Sequence, residues 1–213
     1  PRHLMTARDL AILSKAIITR HPEHYAIYKE REFTYNNIRQ YNRNTLLGVD
    51  PSVDGLKTGH TAEAGYCLVA SALRNDMRLI AVVMGTASTK ARKEAAGSLL
   101  NYGFRFYEAH RLHGAGDTLA QVKTWKGAKR ELAVGVPTDL TITVPRGQHE
   151  GISTRLELEP RLIAPVVRGQ VVGKVVVEQT GKVVREAPLV ALEEIPLGSW
   201  FRRLIDTILL WFQ

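Results

Sequence analysis

Lys57, Thr58 and Gly59 stand in consecutive positions, just ahead of an apolar run that reads as a β-strand. The lysine supplies positive charge or proton-transfer capacity, and the threonine hydroxyl can donate to a carboxylate. The glycine removes a side chain where another backbone must come close. A strand edge opened in that way can pair with an extended peptide. Together the three suit recognition of a peptide end, or of an amide held in an acyl-transfer site. Three letters alone carry little weight, because a solvated lysine at a strand end has the same signature.

The surrounding pattern predicts elements able to hold such a strand. Thr6 can cap a helix, with Asp9 three residues on in a weaker form of the capping box. Leu10, Ile12, Leu13, Ile17 and Ile18 recur at helical spacing until Arg20-His21-Pro22 stops the helix. Residues 34–44 are polar and Asn-rich and read as irregular. Runs 65–72 and 77–84 read as strands joined by a turn at Arg74-Asn75-Asp76. A helix from about Ser88 follows, with Ala91, Ala95, Leu99 and Phe106 on one broad face. Helices covering a sheet are the natural outcome. The single cysteine, Cys67, has no disulfide partner in the chain and reads as a small buried residue.

Residues 108–197 have a different texture. Short β-branched runs at 141–144, 155–158, 171–177, 182–185 and 189–193 are separated by turn residues, the spacing of an all-β sandwich or barrel. No catalytic spacing occurs there. His110 and His113 are three apart, as are His21 and His24, but neither pair has a convincing third ligand. They read as solvated or packing residues, and no metal or cofactor is implied.

The tail, 197–213, is strongly amphipathic. On a helical wheel Trp200, Phe201, Leu204, Ile205, Ile208, Leu209, Trp211 and Phe212 fall within one half, opposite Arg202, Arg203, Asp206, Thr207 and Gln213. Charges interrupt a segment already shorter than a span requires. A helix packed on a core would show the same periodicity. The terminal position, the large aromatics at the ends and the paired arginines favour a helix lying flat in a membrane interface.

With 45% hydrophobic and 23% charged residues over 213, the composition is that of a globular chain with room for one large domain or two ordinary ones. The net charge is +8, and the excess sits in the first 107 residues, which carry 15 Lys and Arg against 9 Asp and Glu. These cations are scattered among acids without a basic stripe, which argues against nucleic acid. An anionic substrate group or membrane surface fits better.

The flanks of the triplet carry a resemblance. Asn42-Arg43-Asn44, residues 53–61 and 64–72, Met77-Arg78-Leu79-Ile80, Val83-Met84-Gly85, residues 101–106 and residues 141–147 together resemble the D-alanyl-D-alanine carboxypeptidases, low-molecular-mass penicillin-binding proteins of the penicillin-binding protein 5/6 type. The likeness runs essentially from end to end. It implies an α+β chain: part of a penicillin-recognising α/β domain over 1–107, a β-rich sandwich-like domain over 108–197, and an amphipathic membrane anchor over 198–213. It also implies removal of the terminal D-Ala from the peptidoglycan stem pentapeptide through an acyl-enzyme on serine, with β-lactam antibiotics acylating the same serine. Lys57 would then be catalytic, and Thr58, Gly59 and the following His60 would bind substrate. Arg92 matches a family arginine that binds the substrate's terminal carboxylate, and Arg43 another basic residue near the site. A planar guanidinium suits a carboxylate, although either arginine could equally be structural.

One departure is large. No Ser is followed three places later by Lys, and no Ser-x-Asn occurs. In the family order both motifs lie upstream of Pro1, so the chain is expected to be the C-terminal portion of a longer protein that works at the periplasmic face of the bacterial cytoplasmic membrane. A non-catalytic membrane-associated binding or pedestal module is the alternative. A β-lactamase fits less well, having no obvious use for a second domain and an anchor.

Overall fold

A computed structural model describes residues 4–211. The chain forms two compact units, Pro1–Glu108 and Ala109–Gln213.

In the first unit, helix α1 (Ala7–Arg20) starts with a full capping box: the Thr6 hydroxyl accepts from the Asp9 amide, and the Asp9 carboxylate accepts from the Thr6 amide. A short helix α2 (Pro22–Tyr25) follows, with proline in its first turn where no amide is missed. Strands β1 (Glu32–Tyr35) and β2 (Ile38–Tyr41) then form an antiparallel hairpin in the stretch expected to be irregular. Asn36 and Asn37 both take positive φ, 50° and 61°, and so supply a tight two-residue turn. All eight strand residues are exposed, so no alternation of buried and polar positions marks the hairpin in the sequence.

Strands β3 (Val53–Thr61), β4 (Gly65–Arg74) and β5 (Met77–Thr86) form an antiparallel meander with β4 in the centre. Helix α3 (Thr89–Phe106), capped by Ser88, covers one face: Ala96 and Leu100 pack with Leu68, Ala70, Ala72, Ala81 and Val83. The buried line of α3 runs through Arg92, Ala96 and Leu100, one step round from the expected face, and Leu99 and Phe106 are exposed. Leu10, Ile17 and Ile18 of α1 pack over Tyr25, Leu56 and Val69 on the other side, while Ile12 and Leu13 stay exposed.

The second unit is β-rich. Strands β6 (Tyr107–His113) and β9 (Leu140–Pro145) pair with each other. Strands β7 (Thr118–Trp125), β8 (Glu131–Gly135), β10 (Ile152–Leu158), β11 (Leu162–Ile163), β12 (Val171–Gln179) and β13 (Lys182–Ala191) form a six-stranded sheet in the order β10-β12-β13-β8-β7-β11. Residues of both sheets, among them Leu140, Ile142 and Val144 against Leu132, Val175 and Leu189, share one core. The runs at 182–185 and 189–193 belong to one strand, since β13 continues through the segment between them. Helix α4 (Trp200–Trp211) closes the described chain.

Candidate active site

The root of β3 is fixed by a polar cluster that no local pattern announces. Arg78 donates from both terminal nitrogens to the two Asp54 oxygens, each at 2.8 Å, and also to the Ser71 hydroxyl at 2.7 Å. The Tyr25 hydroxyl donates to Asp54 and accepts from Arg78 at 3.2 Å. Burial, and then the bond to Asp54, push the Tyr25 phenol up to about 12. The Tyr25 ring lies over Gly55, where a Cβ would come within 3.0 Å of it. Tyr25, Asp54 and Arg78 are 24 to 53 positions apart in pairs across the arginine, so only the tertiary fold shows them as a group.

Beyond this anchor β3 runs out to the exposed triplet. Among the described residues β3 pairs only with β4, which leaves its other edge open. Register places Lys57 opposite Val69 and Gly59 opposite Cys67 on one face, with Thr58 opposite Leu68 and His60 opposite Tyr66 on the other. Lys57 and Thr58 therefore reach out to opposite faces at one point, and a ligand touching both must straddle the edge. The Lys57 ammonium donates to the Thr58 carbonyl at 2.7 Å. At Gly59 a Cβ would meet only Cys67 Cβ, at 3.8 Å, an ordinary contact. The fold itself therefore leaves room for a side chain there. Cys67 is half-buried rather than buried, its thiol donating to the Ala64 carbonyl at 3.3 Å.

Arg92 is the buried member of the set, 6% exposed on α3. Its guanidinium donates to the carbonyls of Gly59 at 3.2 Å, Cys67 at 3.4 Å and Arg43 at 3.4 Å. It thus braces the β3–β4 pair from beneath and ties the segment carrying Arg43 to Gly59. The Tyr66 ring centroid lies 5.6 Å from the Arg92 guanidinium and 4.0 Å from the tilted His60 ring. Arg43 itself is exposed, held between two pinned asparagines. Asn44 is buried and donates to the Gly55 carbonyl at 3.1 Å, and Asn42 donates to the carbonyls of Tyr28 and Glu30. The structure therefore gathers Lys57, Thr58, Gly59, His60, Arg92 and Arg43 at one strand edge. An edge with a cation, a hydroxyl and no side chain at 59 can hold an extended peptide and its carboxylate.

At the other end of the chain, α4 docks by its polar side. The Asp206 carboxylate accepts from the Lys126 amide at 2.5 Å, and Arg202 donates to the Ala128 carbonyl at 3.1 Å. Its apolar side faces outward: Trp200, Phe201, Leu204, Ile205, Ile208, Leu209 and Trp211 are 48% to 85% exposed. Phe212, placed by sequence on the same side, lies outside the described residues. No described helix is long and apolar enough to cross a membrane.

A family model described as D-alanyl-D-alanine carboxypeptidase matches residues 1–88, and one described as the C-terminal domain of penicillin-binding protein 5 matches residues 107–197. The chain is similar to D-alanyl-D-alanine carboxypeptidase DacC of Escherichia coli, at 44% identity over 215 residues, covering 100% of this chain and 54% of that protein. It is also similar to DacA of Haemophilus influenzae, at 41% identity, covering 99% of this chain and 54% of that protein. The crystal structure of penicillin-binding protein 5 from Haemophilus influenzae matches with a TM-score of 0.74 at 42% identity, covering 90% of this chain and 56% of that one. The chain spans about half the length of the curated relatives it matches.

Proposed function

Because the chain belongs to the D-alanyl-D-alanine carboxypeptidase family, we propose that it supplies the Lys-Thr-Gly wall of a serine-type D-Ala-D-Ala carboxypeptidase. The observation that carries the reading is the open β3 edge, with Lys57 and Thr58 on opposite faces and Arg92 bracing Gly59 from below. A stem pentapeptide laid along this edge would pair its backbone with β3 and bring its terminal carboxylate to Thr58 and the nearby cations. Lys57 would stabilise charge and move a proton as the serine attacks the carbonyl of the penultimate D-Ala and the terminal D-Ala leaves. Water then releases the acyl group. A β-lactam ring would open on the same serine, which lies in no Ser-x-x-Lys of these 213 residues.

Fluorescent penicillin tests this on the full-length protein. One covalent label per molecule is expected, with Lys57→Ala reducing the labelling rate at least 100-fold, about the scale of one catalytic group. A folded full-length protein that never takes the label would overturn the reading.

The outward apolar side of α4 supports a second part of the proposal: peripheral attachment at the periplasmic face of the cytoplasmic membrane. There the β-rich unit would act as a pedestal. Deleting residues 200–213 is expected to abolish partition onto liposomes, and unchanged partition would remove the anchor.

A further inference from the structure

A cleft of about 430 Å³ runs along one flank of α4, and it has two chemically different walls. Phe201, Ile205 and Leu209 form the helix wall. Lys123 of β7, Arg130, just ahead of β8, and the buried Trp125 line the cleft from the sheet. The Lys123 ammonium lies 3.7 Å from the Trp125 ring centroid, a cation–π contact that sets its position. Among the described residues neither Lys123 nor Arg130 takes part in an ion pair, although both are exposed. Asp206, the one acid among the lining residues, already accepts from the Lys126 amide, and Glu131 stands opposite Lys123 in the β7–β8 register. Arg202 adds a third cation to the lining, so the three cations still outnumber the acids.

We infer that this cleft is a headgroup site for an anionic phospholipid, with the phosphate between Lys123 and Arg130 and an acyl chain along Phe201, Ile205 and Leu209. An apolar wall beside a cationic wall matches the two ends of one lipid molecule, and the same three helix residues belong to the exposed side of α4. The inference rests on the membrane-anchor reading. It adds that the β-rich unit itself selects the lipid, so the helix alone is not the whole docking device. Charge excess at the cleft is what commits the occupant to an anionic lipid over a zwitterionic one.

Vesicle cosedimentation of the full-length protein tests it. Wild type is expected to partition onto mixed phosphatidylcholine–phosphatidylglycerol vesicles well above its level on phosphatidylcholine alone. The pair Lys123→Gln with Arg130→Gln should lose most of that preference, about 25-fold at roughly fivefold per cation, with partition onto phosphatidylcholine unchanged. Lys123→Arg with Arg130→Lys should restore it. Arg161→Gln with Lys182→Gln, equal in charge and outside the cleft lining, should have little effect. Equal losses in both Gln pairs would mean diffuse attraction and overturn the site, as would equal wild-type partition onto both vesicles. Wild type that binds neither vesicle would instead bring down the anchor reading.

Discussion

Gly59 is the residue whose role the fold leaves to something outside it. A Cβ there meets only Cys67 Cβ at 3.8 Å, so Gly59→Ala is expected to leave the unfolding midpoint within about 0.5 kcal/mol of wild type. Penicillin labelling should fall on the order of 100-fold, because a methyl at the edge displaces the bound backbone. A matching loss of stability would make the glycine structural instead. The opposite case is Arg78, which satisfies Asp54, Ser71 and Tyr25 together. Arg78→Met should cost about 3 kcal/mol in urea unfolding, since Asp54 is left without its cation. Tyr25 gives a pH signature. Its phenol is raised from 10.0 to about 12, so the folded state holds the proton more tightly than the unfolded chain. That stabilisation is complete below pH 10 and is lost as pH rises to 12. Stability should fall by about 2 kcal/mol across that window, and Tyr25→Phe should flatten this limb. Lys57, Thr58 and Gly59 were legible because the segments flanking them carry a family resemblance. The Tyr25–Asp54–Arg78 cluster was not, because its members meet only after the helix and sheet have packed.

Among the elements, the two tight hairpins of the first unit share one turn chemistry. Asn75 and Asp76 join β4 to β5 at φ 47° and 61°, as Asn36 and Asn37 join β1 to β2. Asp76→Gly should stabilise the first unit by about 0.5 kcal/mol, because glycine takes positive φ without a Cβ clash. The β4–β5 turn could be read because apolar runs bracket it. The β1–β2 turn was missed because strands exposed on both faces leave no periodic trace. Periodicity found α3 and α4 but placed the packed face of α3 one step from where it lies. In α3 the line through Arg92, Ala96 and Leu100 packs, and α4 turns its polar side to the protein. Asp206→Ala removes the bond to the Lys126 amide, so hydrogen exchange in residues 200–211 should quicken while β8 stays protected.

For the whole molecule, the hydrophobic clusters of the two units share no residue. All three tryptophans of the chain, Trp125, Trp200 and Trp211, lie in the second unit, so their fluorescence reports that unit. Leu189→Ala, which empties a fully buried site, should lower the tryptophan-monitored stability by about 3 kcal/mol, whereas Leu100→Ala in the first unit should act on a transition this signal does not follow. By itself the sequence determined the composition change near residue 107, the Lys-Thr-Gly segment ahead of a strand and the amphipathic tail, because each is a local pattern of residue types. Only the tertiary structure decided that Lys57 and Thr58 flank an open edge, that Arg92 spends its nitrogens on three main-chain carbonyls, and that the apolar side of α4 faces away from the protein. Those outcomes depend on register and on which face packs, and both are settled by contacts between residues far apart in the chain.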